Sequence, residues 1–284
     1  MEAAKLYAQL ERDFIKPGLI DDWASHMTAI ADFLSDNFKQ RSMGLVCDFA
    51  PNIIKKVYCA VFPSDKVLEK VLADGVSDSM IFVHHPSIWD IIKAPNVFQQ
   101  MNKDLLTKLK EQKISIYNLH VPLDNFGEYS TGVNLAKAIG LTDLEPCIPY
   151  YGSLAGVIGK TRCKSVSELK QLFELAVGHK IKLYKYGQDT IPNGKVVVVA
   201  GGGNDKDLLG EAISSGATTV VTGISSRNPH SEETHKEEER LGVNVLGGTH
   251  YSTEKFACQK MCEYFRNLGL AATFIEGEPV MEDE

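Results

Sequence analysis

Residues 56–85 read KVYCAVFPSDKVLEKVLADGVSDSMIFVHH. An apolar run (56–62) ends in Pro63-Ser64. A stretch with apolar residues at helical spacing follows (65–74), then a Gly-containing turn, then a second apolar run (80–84). Runs this short, separated by a helical pattern, predict strand–helix–strand. Apolar residues are nearly continuous in both strands, which suits a sheet buried on both faces. The stretch ends on two adjacent histidines, His84 and His85.

A second stretch repeats this order. KVVVVAGGGNDKDLLGEAISSGATTVVTGI (195–224) is again strand, turn, helix, strand. Phe62 aligns with Gly201 and His84 with Gly223, both at an offset of 139. Further on, ISIYNLH (114–120) leads to Asp124, and VNVLG (243–247) leads to His250 and Glu254. His120 aligns with His250 and Asp124 with Glu254, both at an offset of 130. The chain therefore reads as α/β, built of two related α/β halves, expected at 1–148 and 149–284. The Pro146–Gly152 stretch is expected to serve as linker, and the 246–284 segment, which carries His250 and Glu254, is expected to close against the first half. Helices are expected at 3–14, 21–38 (capped by Asp21), 65–74, 97–112, 129–139, 165–177, 205–215 and 252–267. The charged run 231–240 reads as a solvated helix or loop.

Composition narrows the function classes. The 284 residues carry a net charge of −7 and no dense basic stripe, so no nucleic acid is expected as partner. No apolar run reaches the length of a membrane span, and the acidic, amphipathic start MEAAKLYAQLERDF lacks the basic-then-apolar order of a signal peptide. No membrane partner and a cytoplasmic location follow as expectations. The six cysteines are scattered without a CxxC and read as reduced structural thiols.

The chemistry-bearing residues gather at strand ends, where open α/β sheets bind ligands. His84 and His85 lie next to each other on an extended chain and should point to opposite faces, serving one metal each or one metal and one packing contact. Asp124 offers a hard oxygen donor or, alternatively, caps a turn. His250 and Glu254, at i and i+4 on a helix, share a face and can converge on one ion. Read otherwise they are a surface pair at a helix start capped by Ser252 or Thr253. Together the three clusters supply imidazole and carboxylate and no thiolate, a set suited to Zn, Fe, Mn or Co. Five or six donors exceed the shell of one tetrahedral zinc, so two divalent transition-metal ions are expected. The Gly201–Gly203 turn before a helix could contact an anion, or could keep backbone clear of the site. A Ser–His–Asp triad using His230 or His235 lacks the G-x-S-x-G elbow.

At VHHP (83–86), HVPLD (120–124), TG (222–223) and THYSTE (249–254) the chain resembles the NIF3-like family, whose bacterial members are often named GTP cyclohydrolase 1 type 2. The resemblance runs from about Gly44 to Phe265. It implies paired α/β halves with a dinuclear metal site in the cleft between them, and a homo-oligomer, commonly a hexamer. By position it places metal ligands at His84, His85, Asp124, His250 and Glu254, with His120 near the metals. The reading that results is a metal-dependent hydrolase acting on a small molecule, possibly a nucleotide, with His120 as catalytic proton shuttle. The alternative is a metal-handling or regulatory protein without turnover. The chain departs from the family pattern at Arg41-Ser42-Met43, at Phe62 and at Ser225-Ser226.

Overall fold

A computed structural model describes residues 1–90, 98–229 and 231–284. Two compact units emerge. The first comprises residues 1–90, 98–123 and Cys258–Gly277, the second Asp124–Ala257 and Glu278–Glu284. The division therefore falls after Leu123, whereas the sequence placed it near 148. Pro146–Gly152 is not a linker. It forms the end and turn of a hairpin, Thr142–Tyr150 with Ser153–Lys160, in which Pro146 pairs with Val157. The prolines that suggested a linker sit on an edge strand, where a missing N–H is tolerated.

The first unit holds a five-stranded sheet in the order Gly44–Cys47, Ile114–Asn118, Ser79–Val83, Lys56–Ala60, Ala271–Phe274. All pairings are parallel except the one made by Gly44–Cys47. The strands Ser79–Val83 and Ile114–Asn118 are buried at every position. That is what continuous apolar runs require when helices cover both faces. Helix Asp65–Asp74 connects the first repeated pair of strands. Ser64 caps it through Val67 N–H, Gly75 ends it in the left-handed region, and Val67, Leu68 and Val71 are its buried face.

The second unit holds six strands in the order Thr142–Tyr150, Ser153–Lys160, Lys195–Val198, Thr219–Thr222, Asn244–Gly247, Lys182–Tyr184. Its three central strands are mutually parallel. Helix Lys206–Ser215 joins the first two and helix Glu232–Leu241 leads to the third. Each unit thus sets its three repeated strands side by side, parallel and in chain order.

Two expected helices differ. The 21–38 stretch is broken into Trp23–His26, a 3₁₀ segment Thr28–Phe33 and Asp36–Arg41. The expected helix 97–112 begins outside the described residues, its next two residues pair as strand Phe98–Gln99, and the helix itself is Lys103–Glu111, capped by Asn102. The charged run is helical, but His235 and Glu238 turn inward and are buried, so it is solvated on one face only. None of the six cysteines, all among the described residues, forms a disulfide. Among the described residues no helix is long and apolar enough to cross a membrane.

One charged cluster in the second unit makes a test of its packing. Near the end of helix Val166–Val177, Glu174 accepts hydrogen bonds from Lys170, from Lys180 (3.1 Å) and from Ile181 N–H (3.3 Å). The Lys170 ammonium, helped by the other two donors, holds its carboxyl down at about 2. The folded value lies below the ordinary one, so the stabilisation is present above the ordinary carboxyl range and is lost as pH falls through it toward the folded value. Glu174→Gln should lower the thermal unfolding midpoint at neutral pH, and the gap from wild type should narrow as pH falls through the ordinary carboxyl range and close near the folded value of about 2. A gap that persists undiminished in acid would refute this account.

Candidate functional site

In the first unit the strand Ser79–Val83 stops just before His84, and the alternation of faces expected for His84 and His85 stops with it. Their backbone N–H groups still bond to Ala60 O (3.3 Å) and Val61 O (3.0 Å). Their rings are 4.2 Å apart between centroids, and His120 stands 5.3 and 4.7 Å from them. One ring nitrogen from each of His84, His85 and His120 lies within 4.8 Å of the others. All three residues are buried.

Hydrogen bonding decides which nitrogen His84 presents. Its Nδ1 lies 2.9 Å from Leu119 O. A carbonyl only accepts, so the proton sits on Nδ1 and the lone pair on Nε2. Metal-binding histidines are commonly fixed by a carbonyl or carboxylate in this way. Asn118, at the end of its strand, donates to His84 O. Aromatic rings close the surroundings. Trp23 meets His85 and His120 edge-on at 5.5 and 5.3 Å, and Phe62 stacks on His85 at 5.0 Å.

In the second unit His250 opens the long helix His250–Asn267, two residues before the expected start. The cap is Thr249, one turn earlier than either residue considered. Its Oγ1 accepts from Ser252 N–H, and Ser252 Oγ accepts from Thr249 N–H, both at 3.1 Å. His250 Nε2 lies 3.1 Å from Glu254 Oε1, and both side chains are buried, so they are not a solvated surface pair. Asp124 ends the short helix Val121–Asp124, and its Oδ1 accepts from Thr131 Oγ1 at 2.7 Å.

The glycine turn serves the His250–Glu254 pair. Gly201 has φ +71°, and a Cβ there would collide with the Glu254 carboxylate and come within 3.1 Å of His250 Nε2. Its N–H donates to Thr253 Oγ1 at 3.0 Å. The neighbouring helix Lys206–Ser215 is capped by Asp205, whose carboxylate accepts from Asp207 and Leu208 N–H. A negative group already sits where an anion would bind, so the turn makes room and does not cradle phosphate. His230 lies outside the described residues. His235 is buried against Tyr186 (3.1 Å), Glu238 (3.1 Å) and Ser225 O (2.8 Å), so Ser225 meets it through its backbone carbonyl and not its hydroxyl.

Two acidic residues near these groups were not read from sequence as part of them. Asp21 does not cap a helix. It bonds to His120 Nδ1. Asp283 accepts from His250 N–H at 2.9 Å, and burial pushes its carboxyl above the ordinary value. Both act across long sequence separations. The sequence-level signal for the first is only an acidic pair beside a tryptophan in Asp21-Asp22-Trp23.

Comparison with known proteins adds to this geometry. The model of the Duf34/NIF3 (NGG1p interacting factor 3) family matches residues 19–279. Proteins named GTP cyclohydrolase 1 type 2 homolog are similar to the chain. The one from Archaeoglobus fulgidus is 29% identical over 225 residues, 78% of this chain and 84% of that protein. The one from Escherichia coli K12 is 26% identical over 245 residues, 81% and 91%. Among solved structures, reduced HcgD from Methanocaldococcus jannaschii has a TM-score of 0.70 at 23% identity, covering 98% of each chain. Protein ybgI, described as of unknown function, has 0.73 at 21%, covering 99% of this chain and all of that one. Identities this low speak to the fold.

Gly201→Ala tests the local packing. It forces a Cβ into the left-handed region and against Glu254, and should cost about 1–3 kcal/mol of stability. Urea unfolding of the metal-free protein measures this. Zinc should also stabilise the variant less than wild type. Unchanged values in both measurements would refute the role assigned to Gly201.

Proposed function

Since the chain belongs to the Duf34/NIF3 family, we propose that it is a metal-dependent hydrolase. It holds two divalent transition-metal ions on His84, His85, Asp124, His250 and Glu254, and acts on a nucleotide-like small molecule. The observation that carries this reading is the meeting of three buried imidazoles at the ends of two buried strands, with His84 fixed so that Nε2 bears its lone pair. The His250–Glu254 pair of the second unit supplies imidazole and carboxylate of the same kind. Nitrogen and oxygen donors without thiolate fit Zn, Fe, Mn or Co. When bound, such ions polarise a substrate oxygen and bring the pKa of a water toward neutrality.

The chain's own residues do the remaining work. His120 accepts and returns a proton at Nε2. Thr131 orients the Asp124 carboxylate through its hydroxyl. Trp23 and Phe62 exclude water from the imidazoles. The substrate class draws on the name carried by the relatives from A. fulgidus and E. coli. A metal-handling role without turnover has one observation in its favour: the apolar ring of Phe62 lies flat on His85, where a polar group would assist acid–base chemistry.

Elemental analysis of protein purified without added metal, followed by reloading and assays on nucleotides and phosphate esters, decides between the two. Zinc at about a hundred times its Kd should raise stability by about 2.7 kcal/mol in wild type and much less in His84→Ala. Glu254→Gln, which keeps shape and removes a charge, should weaken metal binding. His120→Asn should keep metal uptake and lower turnover by about 10²–10⁴-fold. If His120→Asn strips metal as thoroughly as His84→Ala, His120 is a ligand and not a proton carrier. Metal-loaded wild type inert toward the whole panel would leave the metal-handling reading.

A further inference from the structure

The Asp21 side chain is 1% exposed. A carboxylate so enclosed is costly unless donors meet its charge. Its oxygens lie 3.3 and 3.1 Å from His120 Nδ1. Oδ2 also accepts from Val121 N–H at 3.4 Å, and Oδ1 from Asp22 N–H at 3.0 Å. Two backbone donors thus hold the carboxylate in place, and one of them belongs to the residue that follows His120. The imidazole is not drawn toward a loose acid. It faces an acceptor tied to its own stretch of backbone.

A carboxylate accepts and does not donate, so its partner nitrogen must carry the proton. His120 is then protonated at Nδ1 and bears its lone pair on Nε2, as His84 does through Leu119 O. Trp23, two residues after Asp21, packs edge-on against the His120 ring at 5.3 Å and limits its rotation. One short segment therefore sets both the tautomer and the orientation of His120, from 99 residues away in the chain.

We propose that Asp21 is the positioning residue of His120, holding it as the Nδ1–H tautomer so that Nε2 is its working atom. The catalytic use of Nε2 rests on the hydrolytic reading above, whereas the tautomer does not. In neutral histidine free in solution the Nε2–H form predominates, so the Nδ1–H form is diagnostic.

Long-range ¹H–¹⁵N correlation spectra of the metal-free, full-length protein in mildly alkaline solution read the tautomer directly, with His120 assigned by its loss in His120→Asn. The expected result is the Nδ1–H form in wild type and a shift toward Nε2–H in Asp21→Ala. Turnover of the metal-loaded variant should fall about 10–100-fold, mostly in kcat. An Nε2–H tautomer in wild type overturns the proposal, whether or not Asp21→Ala folds. An unchanged Nδ1–H population in a folded Asp21→Ala overturns it as well. If no substrate is hydrolysed, the hydrolytic reading fails alone and the tautomer still decides the role of Asp21.

Discussion

A strand buried on both faces tolerates small hydrogen-bonded polar side chains such as Ser115, but a charged or metal-binding side chain within it would lose its water at high cost. Ser79–Val83 and Ile114–Asn118 in the first unit, and Thr219–Thr222 and Asn244–Gly247 in the second, are buried throughout. Polar chemistry is therefore displaced to the residues just beyond them. His84-His85 and His120 follow the first two strands. Gly223 and the Gly248-Thr249 turn into His250 follow the second two. The backbone groups released at those ends must also be satisfied. The same carbonyls and N–H groups that close the strands then orient the imidazoles, as Leu119 O does for His84.

This constraint explains what could be read from sequence. Helix Asp65–Asp74 matches its expected range because cap, apolar spacing and terminal glycine all lie within a dozen residues. His84, His85, His120, His250 and Glu254 stood out because each follows a legible apolar run. The 21–38 stretch misled because its apolar periodicity is real, while its residues are spent on several short turns around Trp23 and Phe38. The hairpin strands Thr142–Tyr150 and Ser153–Lys160 were missed because exposed residues and prolines dilute their pattern. In 232–241 the high charge hid an inward face carrying His235 and Glu238.

The illegible part of the candidate site has one physical character. Asp21 with His120 and Asp283 with His250 are hydrogen bonds between residues far apart in the chain. No local period or spacing encodes such a pair. Only the folded backbone brings the acceptor to its donor. Sequence therefore disclosed the donors of the candidate metal site and concealed the groups that orient them.

The interleaving of the units bears on how the chain is made. Residues Asp124–Ala257 all leave the ribosome before the strand Ala271–Phe274 can pair in parallel with Lys56–Ala60. Until then the first sheet keeps an open, apolar edge through the synthesis of most of the second unit. An uncovered edge of this kind is a template for pairing with another nascent chain. Premature termination anywhere before residue 271 leaves that edge exposed. A chain that stops short of Ala271 therefore carries an unpaired strand along Lys56–Ala60, the condition under which sheets associate edge to edge.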